Sequence, residues 1–212
     1  MDDALVLWCQ PDPGAAAHPL ATDDDRRRAA RFRLPVDGHR HLTGRVLARR
    51  AAATWLGIDP AGVHVAVEPH GRPVLVDGSG DRLAAHVSVT HAGDLVGVAV
   101  AGSPVGLDVQ DLAAFEGLLH SPDLWTPAEI ADLALLDPAE RLRSAASWWT
   151  AKEAVLKSLG RGLLDPVEAL DVRDSHVPWH AVDVGDHHAA AIAGAAPRRP
   201  VHLRHVDAPI CV

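Results

Sequence analysis

Cysteine is scarce in this chain: Cys9 and Cys211 are the only two among 212 residues, and they lie at opposite ends of the sequence. No CxxC pair and no HExxH motif occurs, although the chain contains 14 histidines. Zinc sites built from cysteine and histidine normally show such short spacings. We therefore expect two ordinary reduced thiols, no disulfide framework and no histidine-based metal centre.

Long apolar runs are also missing. No stretch approaches the roughly 18 consecutive apolar residues that a membrane-spanning helix needs, and the acidic start Met1-Asp2-Asp3 has the wrong charge for a signal peptide. Hydrophobic residues make up 48% of the chain and charged residues 23%, which is ordinary for a globular protein. These features predict a cytoplasmic protein with one domain, or with two of about 100 residues each.

Positive charge is in deficit, because the formal net charge is −8. This balance argues against broad binding of nucleic acid. The arginines are nevertheless concentrated in the first quarter of the chain, at positions 26, 27, 28, 31, 33, 40, 45, 49 and 50. A local basic face in an acidic protein suits an anionic small molecule or an acidic protein partner better than a DNA duplex.

Alternating and helical patterns divide the chain into two comparable parts. Strands are predicted at residues 5–8, 63–67, 74–76, 86–90, 95–100, 105–110, 167–172, 188–193 and 201–206. Helices are predicted at residues 22–32 and 37–57, from residue 127, and from residue 138 towards residue 159. Each part shows a strand, helical material and then further strands, with a break at Ser103-Pro104. The layout predicts an α+β fold whose halves, residues 1–103 and 104–212, meet at a cleft.

The stretch 147–163, SWWTAKEAVLKSLGRGL, is rich in helix-forming residues, and Ser147 is a candidate for its N-cap. Trp149, Glu153 and Lys157 follow one another at i, i+4 spacing and share a helical face. A glutamate four residues before a lysine is most often a solvent-exposed pair. Two adjacent tryptophans are unusual on a fully solvated helix, so a cleft-facing pair is the other interpretation.

The strand predicted at residues 105–110, VGLDVQ, places a carboxylate in an apolar setting. Its period of two puts Asp108 and Gln110 on one face, with Leu107 and Val109 on the other. A carboxylate on such a strand costs stability unless it is paired or binds a cation. Asp108 is therefore a candidate site residue.

Three short sequences occur along the chain in a characteristic order: Gly71-Arg72-Pro73, then residues 105–110, then WTAKEA at 149–154 with Lys157 and GRGL at 160–163. Residues 32–49 and the segment SVTHA at 88–92 accompany them. This set resembles the 4′-phosphopantetheinyl transferases, in particular the longer, surfactin-synthetase-type monomers made of two similar halves. The resemblance covers about residues 26–163.

The resemblance implies both a fold and a reaction. It implies two α/β halves related by a pseudo-twofold axis, each with an antiparallel sheet packed by a long helix, and an active site between them. It implies that coenzyme A donates its phosphopantetheine arm to a serine of an apo acyl or peptidyl carrier protein, which leaves adenosine 3′,5′-bisphosphate. Mg²⁺, or Mn²⁺ in its place, is the implied cofactor. Such enzymes activate fatty-acid, polyketide or nonribosomal peptide synthases.

The roles of individual residues follow from the same resemblance. Asp108, Gln110 and Glu153 are expected to hold the metal ion, since a hard cation prefers oxygen ligands. Glu153 is also expected to take the proton of the carrier serine, and Lys157 to stabilise the leaving phosphate. The expected contacts to coenzyme A come from the first half of the chain: Arg28, His41, Arg72, Thr90 and His91.

Two positions depart from the family pattern. Gln110 stands where relatives often have an acid. Its amide can bind a metal ion only through the carbonyl oxygen, or form a hydrogen bond to a metal-bound water, and it cannot act as a base. Asp25 stands three residues before Arg28, where relatives often have a lysine.

Two other functions remain compatible with these residues. One is a Mg²⁺-dependent phosphohydrolase that cleaves coenzyme A-like pyrophosphates without a carrier, and the other is a module that binds coenzyme A or a carrier without turnover. Docking of a carrier is expected on residues 111–127, and the alternative is that their large side chains belong to the core. The side chains concerned are Phe115, Leu118, Leu119 and Trp125.

Overall fold

The computed structural model describes residues 4–161, 170–194 and 201–205, which form nine strands and five α-helices. The strands are β1 (Ala4–Cys9), β2 (His64–Val67), β3 (Pro73–Val76), β4 (His86–Ala92), β5 (Leu95–Ala101), β6 (Val105–Asp111), β7 (Trp179–Val182), β8 (His188–Gly194) and β9 (Val201–His205). The helices are α1 (Asp23–Ala29), α2 (Pro35–Leu56), α3 (Leu112–Phe115), α4 (Pro127–Ala134) and α5 (Pro138–Ser158). None of these helices is long and apolar enough to span a membrane.

The two halves share one arrangement of strands. In the first half β1 pairs with β5 and β5 with β4, and all of these pairs are antiparallel. In the second half β6 pairs with β8 and β8 with β7, again antiparallel. One long helix packs on each sheet, α2 on the first and α5 on the second. The predicted fold of two similar α/β halves is therefore confirmed, whereas the exact division at residues 103 and 104 stays a prediction.

The last strand among the described residues does not extend the sheet of its own half. Strand β9 pairs in parallel with β1, so it becomes the fourth strand of the first sheet. This pairing joins the two halves through backbone hydrogen bonds.

One predicted strand is wrong, and one strand of the structure is missing from the prediction. Residues 170–172 are not part of a strand, contrary to the strand predicted at 167–172, of which residues 167–169 lie outside the described ranges. Strand β7 was not predicted, because its four residues give too short an alternation. Other positions discussed above also lie outside the described ranges: Met1, Asp2, Asp3, Gly162, Leu163, Val206 and Cys211.

Helix α5 begins nine residues before Ser147, so Ser147 is not its N-cap. The cap is Asp137, whose Oδ1 accepts the N–H groups of Ala139 and Glu140 at 3.0 Å each. Pro138 follows at the first helical position, where a missing N–H costs nothing. An acid followed by proline is the stronger start, and one continuous helix therefore spans the two segments that the sequence suggested separately.

Strands β4 and β6 lie side by side where the halves meet, and two hydroxyls join them. Ser88 Oγ accepts the N–H of Leu107 at 3.0 Å, and Thr90 Oγ1 accepts the N–H of Val109 at 3.2 Å. The side chains of Leu107 and Val109 enter the apolar core between the two sheets. The alternation predicted for β6 is therefore confirmed, and Asp108 faces away from this core, towards α5.

Gly106 determines how closely β6 approaches α5. A β-carbon at this position would lie 1.8 Å from the carbonyl oxygen of Ala154 and 2.7 Å from the amide nitrogen of Ser158. Both are backbone atoms that cannot rotate away, so any side chain would push the helix off the strand. This close approach brings the strand carboxylate of Asp108 within reach of the helix side chains.

Helix α5 is also fixed by an ion pair without solvent exposure. Lys152 Nζ lies 2.6 Å from Glu129 Oε2, and both side chains are 0% exposed. The ammonium group also donates to the carbonyl oxygen of Leu124 at 2.8 Å and lies 5.3 Å from the ring centroid of Trp125. Glu129 in turn accepts the N–H of Thr126 at 2.8 Å in the capping box of α4. The pair ties the middle of α5 to the start of α4.

The segment expected to dock a carrier is divided between core and surface. Phe115 and Trp125 are buried, with 1% and 4% exposure, so for them the core interpretation is correct. Leu118 is exposed and Leu119 is half-buried. Only these two leucines of the four residues remain candidates for contact with a partner.

We expect Gly106→Ala to lower the free energy of unfolding by about 3 kcal/mol or more, because the new methyl group overlaps helix backbone. Urea denaturation followed by circular dichroism measures this loss. Gly102→Ala is the matched control, since no atom lies within 4 Å of a β-carbon there, and its effect should stay within about 0.5 kcal/mol. Equal stability of the two variants would contradict the close approach of β6 and α5.

Lys152→Met is expected to destabilise the protein by about 3–5 kcal/mol, because it leaves Glu129 buried and charged without a partner. The double variant Lys152→Met/Glu129→Gln removes both charges and keeps an acceptor for the Thr126 N–H. It should regain most of the lost stability in the same denaturation experiment. If the single variant unfolds at the wild-type urea concentration, the buried ion pair is not present in solution.

Candidate active site

Three charged side chains from two elements meet at the junction of the halves. Lys157 Nζ, on α5, lies 2.6 Å from Asp108 Oδ1, on β6, and also donates to the carbonyl oxygen of Leu107 at 3.1 Å. Glu153 lies one helical turn before Lys157. Asp108 and Glu153 are 4% and 6% exposed, so the two carboxylates are nearly removed from water.

The surroundings of Glu153 raise the pKa of its carboxyl group. Its burial raises the pKa of the carboxyl group, the negative charge of Asp108 raises it further, and Lys157 opposes both effects. Its Oε1 is buried and has no hydrogen-bond partner among the described residues. Burying a carboxylate oxygen without a partner costs folding free energy. Binding of a proton or a cation by this atom would offset that cost.

Two neutral side chains complete the surroundings of Asp108. Thr90 Oγ1 donates to Oδ1 of Asp108 at 3.1 Å. Gln110 Nε2 donates to Oδ2 at the longer distance of 3.4 Å. The Gln110 amide therefore turns its nitrogen, and not its oxygen, towards the carboxylate. Direct metal binding by Gln110 requires the amide to rotate, and its expected role as a ligand stays a prediction.

The donor set suits a hard divalent cation. Asp108 and Glu153 supply carboxylate oxygens, one of them unpartnered, and the Gln110 amide is adjacent. Within the described parts of the chain, no group of three or more His, Cys, Asp or Glu side chains is arranged to hold a metal ion. Mg²⁺ commonly takes only one or two protein carboxylates and fills its other positions with water and substrate phosphate. The residues present fit that pattern.

A cavity of about 250 Å³ opens beside Glu153 and Lys157, and Arg72 lines its other wall. Arg72 follows the turn at Gly71, which has φ +89°. The guanidinium group also packs on Gly160, where a β-carbon would lie 2.6 Å from Nη1 of Arg72. Gly160 has φ +72° as well, so its position after α5 requires glycine for both backbone and space.

A second cavity, of about 240 Å³, shares Gly71, Pro73 and Val89 with the first, so the two form one cleft. Its wall is basic and includes three arginines and two histidines, Arg28, Arg40, His41, Arg45 and His91. The structure thus brings together four of the five residues expected to contact coenzyme A, three here and Arg72 in the first cavity. Thr90 is the exception, because it is buried behind the cleft.

The two histidines of the second cavity have lowered pKa values. Burial and then the charge of Arg45 lower the pKa of His41 to about 4, so its ring is neutral near pH 7. His41 Nε2 is buried and has no hydrogen-bond partner among the described residues. His91 is exposed, yet desolvation and the charges of Arg40 and Lys157 lower its pKa as well. His41 is therefore suited to form a neutral hydrogen bond and not an ion pair.

Asp25, which departs from the family pattern, organises the arginines behind this cavity. Its carboxylate lies 2.8 Å from Arg49 and 3.5 Å from Arg45. Burial by itself would raise the pKa of Asp25, but hydrogen bonds from Thr22 and the charge of Arg49 outweigh it, and the pKa is lowered. Asp25 therefore holds Arg45 in place through an ion pair and does not line the cleft itself.

The sequence interpretation missed Arg40 and Arg45 as lining residues. Arg40 is anchored by Asp37 at 2.8 Å and by the carbonyl oxygen of Gly93. For Arg45 a signal was available, because His41, Arg45 and Arg49 follow at intervals of four and share one face of α2. In the sequence these arginines indicate only a concentration of positive charge.

Comparison with known proteins gives a consistent result for both halves. Residues 13–103 match the family model described as 4′-phosphopantetheinyl transferase, N-terminal. Residues 104–197 match the model of the 4′-phosphopantetheinyl transferase superfamily. The two matched regions together include every residue of the cleft.

Several curated proteins are similar over most of their length. A 4′-phosphopantetheinyl transferase of Bacillus subtilis is 30% identical over 169 residues, which cover 78% of this chain and 71% of the relative. The 4′-phosphopantetheinyl transferase Sfp of Bacillus subtilis strain 168 is 26% identical, over 87% of this chain and 86% of its own. The transferase psf-1 of Bacillus pumilus is 26% identical, over 91% and 85%. With both halves matched in order, this chain belongs to the 4′-phosphopantetheinyl transferase superfamily.

Proposed function

We propose that this protein transfers the 4′-phosphopantetheine arm of coenzyme A to a serine of an apo carrier protein, at the junction of β6 and α5. The observation that supports this best is the meeting of Asp108, Glu153 and Lys157 beside a cleft whose far wall is basic. The family supplies the reaction class, and this site supplies the groups that the reaction needs.

Binding of coenzyme A follows from the charge of the cleft. The substrate carries a pyrophosphate and a separate 3′-phosphate, and arginine recognises both through charge-assisted hydrogen bonds. Arg28, Arg40 and Arg45 line the second cavity, and Arg72 lies nearer to the carboxylates. In our proposal the 3′-phosphate occupies the second cavity and the pyrophosphate reaches Lys157. The unpartnered Nε2 of His41 is a candidate donor to the nucleotide.

Asp108 and Glu153 are the residues that would hold Mg²⁺, with Gln110 contributing through its amide oxygen or through a water. When bound, this ion neutralises phosphate charge and so lowers the barrier to attack at phosphorus. Of the two Asp108 oxygens, Oδ1 is already used by Lys157 and Thr90. Oδ2 and the free Oε1 of Glu153 are therefore the proposed ligand atoms.

Proton movement is assigned to Glu153 and charge compensation to Lys157. The serine oxygen of the carrier forms a bond to the phosphopantetheine phosphorus, and the bond from that phosphorus to the oxygen of the adenosine 5′-phosphate breaks. The serine proton passes to Glu153, whose carboxyl group lines the first cavity of the cleft. Lys157 lies beside the leaving phosphate in this proposal and stabilises adenosine 3′,5′-bisphosphate as it forms.

An acyl or peptidyl carrier protein is the proposed partner. The exposed Leu118 and the half-buried Leu119 are the candidate apolar contacts for the carrier. A monomer as the working form and the cytoplasm as its location remain predictions.

Glu153→Gln is expected to reduce transfer at least about 100-fold, because the amide can neither take the serine proton nor hold a cation with charge. The assay incubates the protein with coenzyme A, Mg²⁺ and a panel of apo carriers and weighs the carriers by mass spectrometry. Glu140→Gln is the matched control, since it removes an exposed carboxylate from the same helix. Circular dichroism should show the same fold for all three proteins.

Three outcomes of this assay would contradict the proposal. Normal turnover by Glu153→Gln would show that another group is the base. Release of phosphopantetheine without any carrier would favour a phosphohydrolase. Tight binding of coenzyme A with no change in the mass of any carrier would favour a binding module.

Asp108→Asn should lower the pKa of Glu153, because it removes the negative charge that helps to raise it. The pKa is measured in the metal-free protein from the pH dependence of the ¹³C shift of the Glu153 carboxyl group. In the wild type the value should lie above the ordinary glutamate value of about 4.3. Asp174→Asn, which changes an exposed acid of the second half, is the control. An unchanged pKa in Asp108→Asn would show that the two carboxylates do not share one site.

A further inference from the structure

We propose that Thr90 acts as a positioning residue for Asp108 and does not contact coenzyme A. This inference rests on the function proposed above, because it assumes that a cation binds between Asp108 and Glu153. It departs from the expectation that Thr90 belongs with the residues that bind coenzyme A.

The hydroxyl proton of Thr90 is already used within the protein. The hydroxyl group donates its single proton to Asp108 Oδ1 at 3.1 Å and accepts the N–H of Val109 at 3.2 Å. Thr90 is 5% exposed and does not line either cavity of the cleft. A hydroxyl has only one proton to give, so a phosphate oxygen at this position would have to displace the bond to Asp108.

The bond from Thr90 decides which oxygen of Asp108 faces a cation. Oδ1 receives Thr90 from β4 and Lys157 from α5, so its acceptor positions are occupied from two sides. The one described hydrogen bond to Oδ2 comes from Gln110 at 3.4 Å and is weak. Thr90 and Lys157 together fix the plane of the carboxylate and leave Oδ2 available. Bonds of this kind to a ligating carboxylate typically change metal affinity by about 10- to 100-fold.

Ser88 provides an internal comparison for this role. It lies two residues earlier on β4 and is equally buried, and its hydroxyl accepts the N–H of Leu107 at 3.0 Å. Leu107 and Val109 flank Asp108 on β6, so the two hydroxyls make the same kind of bond between strands. Among the described contacts, only Thr90 of the two also reaches the carboxylate. Ser88 also lines the first cavity, so the comparison is made on Mn²⁺ binding without coenzyme A, where a purely structural role would give Ser88 and Thr90 the same effect.

The test compares Thr90→Val, Thr90→Ser and Ser88→Ala with the wild type. Binding of Mn²⁺ is measured by electron paramagnetic resonance of the free ion, and binding of coenzyme A is measured by calorimetry without metal. Thr90→Val, which keeps the shape of the side chain, should weaken Mn²⁺ binding about 10- to 100-fold and leave coenzyme A binding unchanged. Thr90→Ser, which keeps the hydroxyl, should retain Mn²⁺ affinity.

Ser88→Ala separates positioning from stability. Ser88→Ala and Thr90→Val should both lower the melting temperature, because each leaves a buried backbone N–H without its acceptor. Only Thr90→Val should also weaken Mn²⁺ binding. Equal loss of Mn²⁺ affinity in both variants would overturn the proposal, since the effect would then come from strand packing.

Two further results distinguish this inference from the function on which it rests. If Thr90→Val weakens coenzyme A binding and keeps wild-type Mn²⁺ affinity, Thr90 is a substrate contact and the inference is wrong, while transfer by the wild type still supports the function. If the wild type transfers nothing to any carrier and binds no Mn²⁺, the proposed function itself is contradicted.

Discussion

The ion pair between Lys157 and Asp108 is the interaction on which the site depends. It joins a strand of the second sheet to the helix that covers it, and its 2.6 Å distance exists only because Gly106 lets the helix approach the strand. The same approach brings the buried Glu153 within electrostatic reach of Asp108, which raises its pKa. Two carboxylates and one ammonium group leave a net negative charge in a poorly hydrated place, and a divalent cation would neutralise it.

Around this centre the protein separates two kinds of electrostatic environment. The chain is acidic overall, yet the far wall of the cleft carries arginines that are held by acids from behind: Asp25 binds Arg45 and Arg49, and Asp37 binds Arg40. Such pairing fixes the orientation of the guanidinium groups before a ligand arrives, which reduces the cost of ordering them on binding. A nucleotide that carries phosphate groups at two positions could therefore contact the arginines with one of them and lie beside the two carboxylates with the other.

Much of this arrangement could be predicted from the sequence, because it depends on local periodicity. The period of two in β6 predicted the face of Asp108, and the i, i+4 spacing in α5 predicted the common face of Glu153 and Lys157. The two-half fold followed from the repeated order of strands and helices. The spacing alone did not decide whether Glu153 and Lys157 form a surface ion pair or part of a site. The family resemblance supplied the reaction.

Other features depend on contacts between distant parts of the chain, and the sequence did not indicate them. The buried pair of Lys152 and Glu129 spans 23 residues and looks like two ordinary surface charges in the sequence. Ser147 is a plausible cap when its neighbours in space are unknown, whereas the helix that contains it begins at Pro138. The family resemblance implies that Thr90 contacts coenzyme A, and a strand-end hydroxyl gives no indication in the sequence that its proton is donated to Asp108.

The central claim is that Asp108 and Glu153 bind one divalent cation between them. Crystals grown with coenzyme A and Mn²⁺ test it most directly, because the anomalous scattering of manganese locates the ion independently of any assumed ligand. The account predicts one anomalous peak, bonded to a carboxylate oxygen of each residue and to phosphate oxygens of coenzyme A. A peak bonded to only one of the two carboxylates, or a bound coenzyme A with no peak near either, would contradict it.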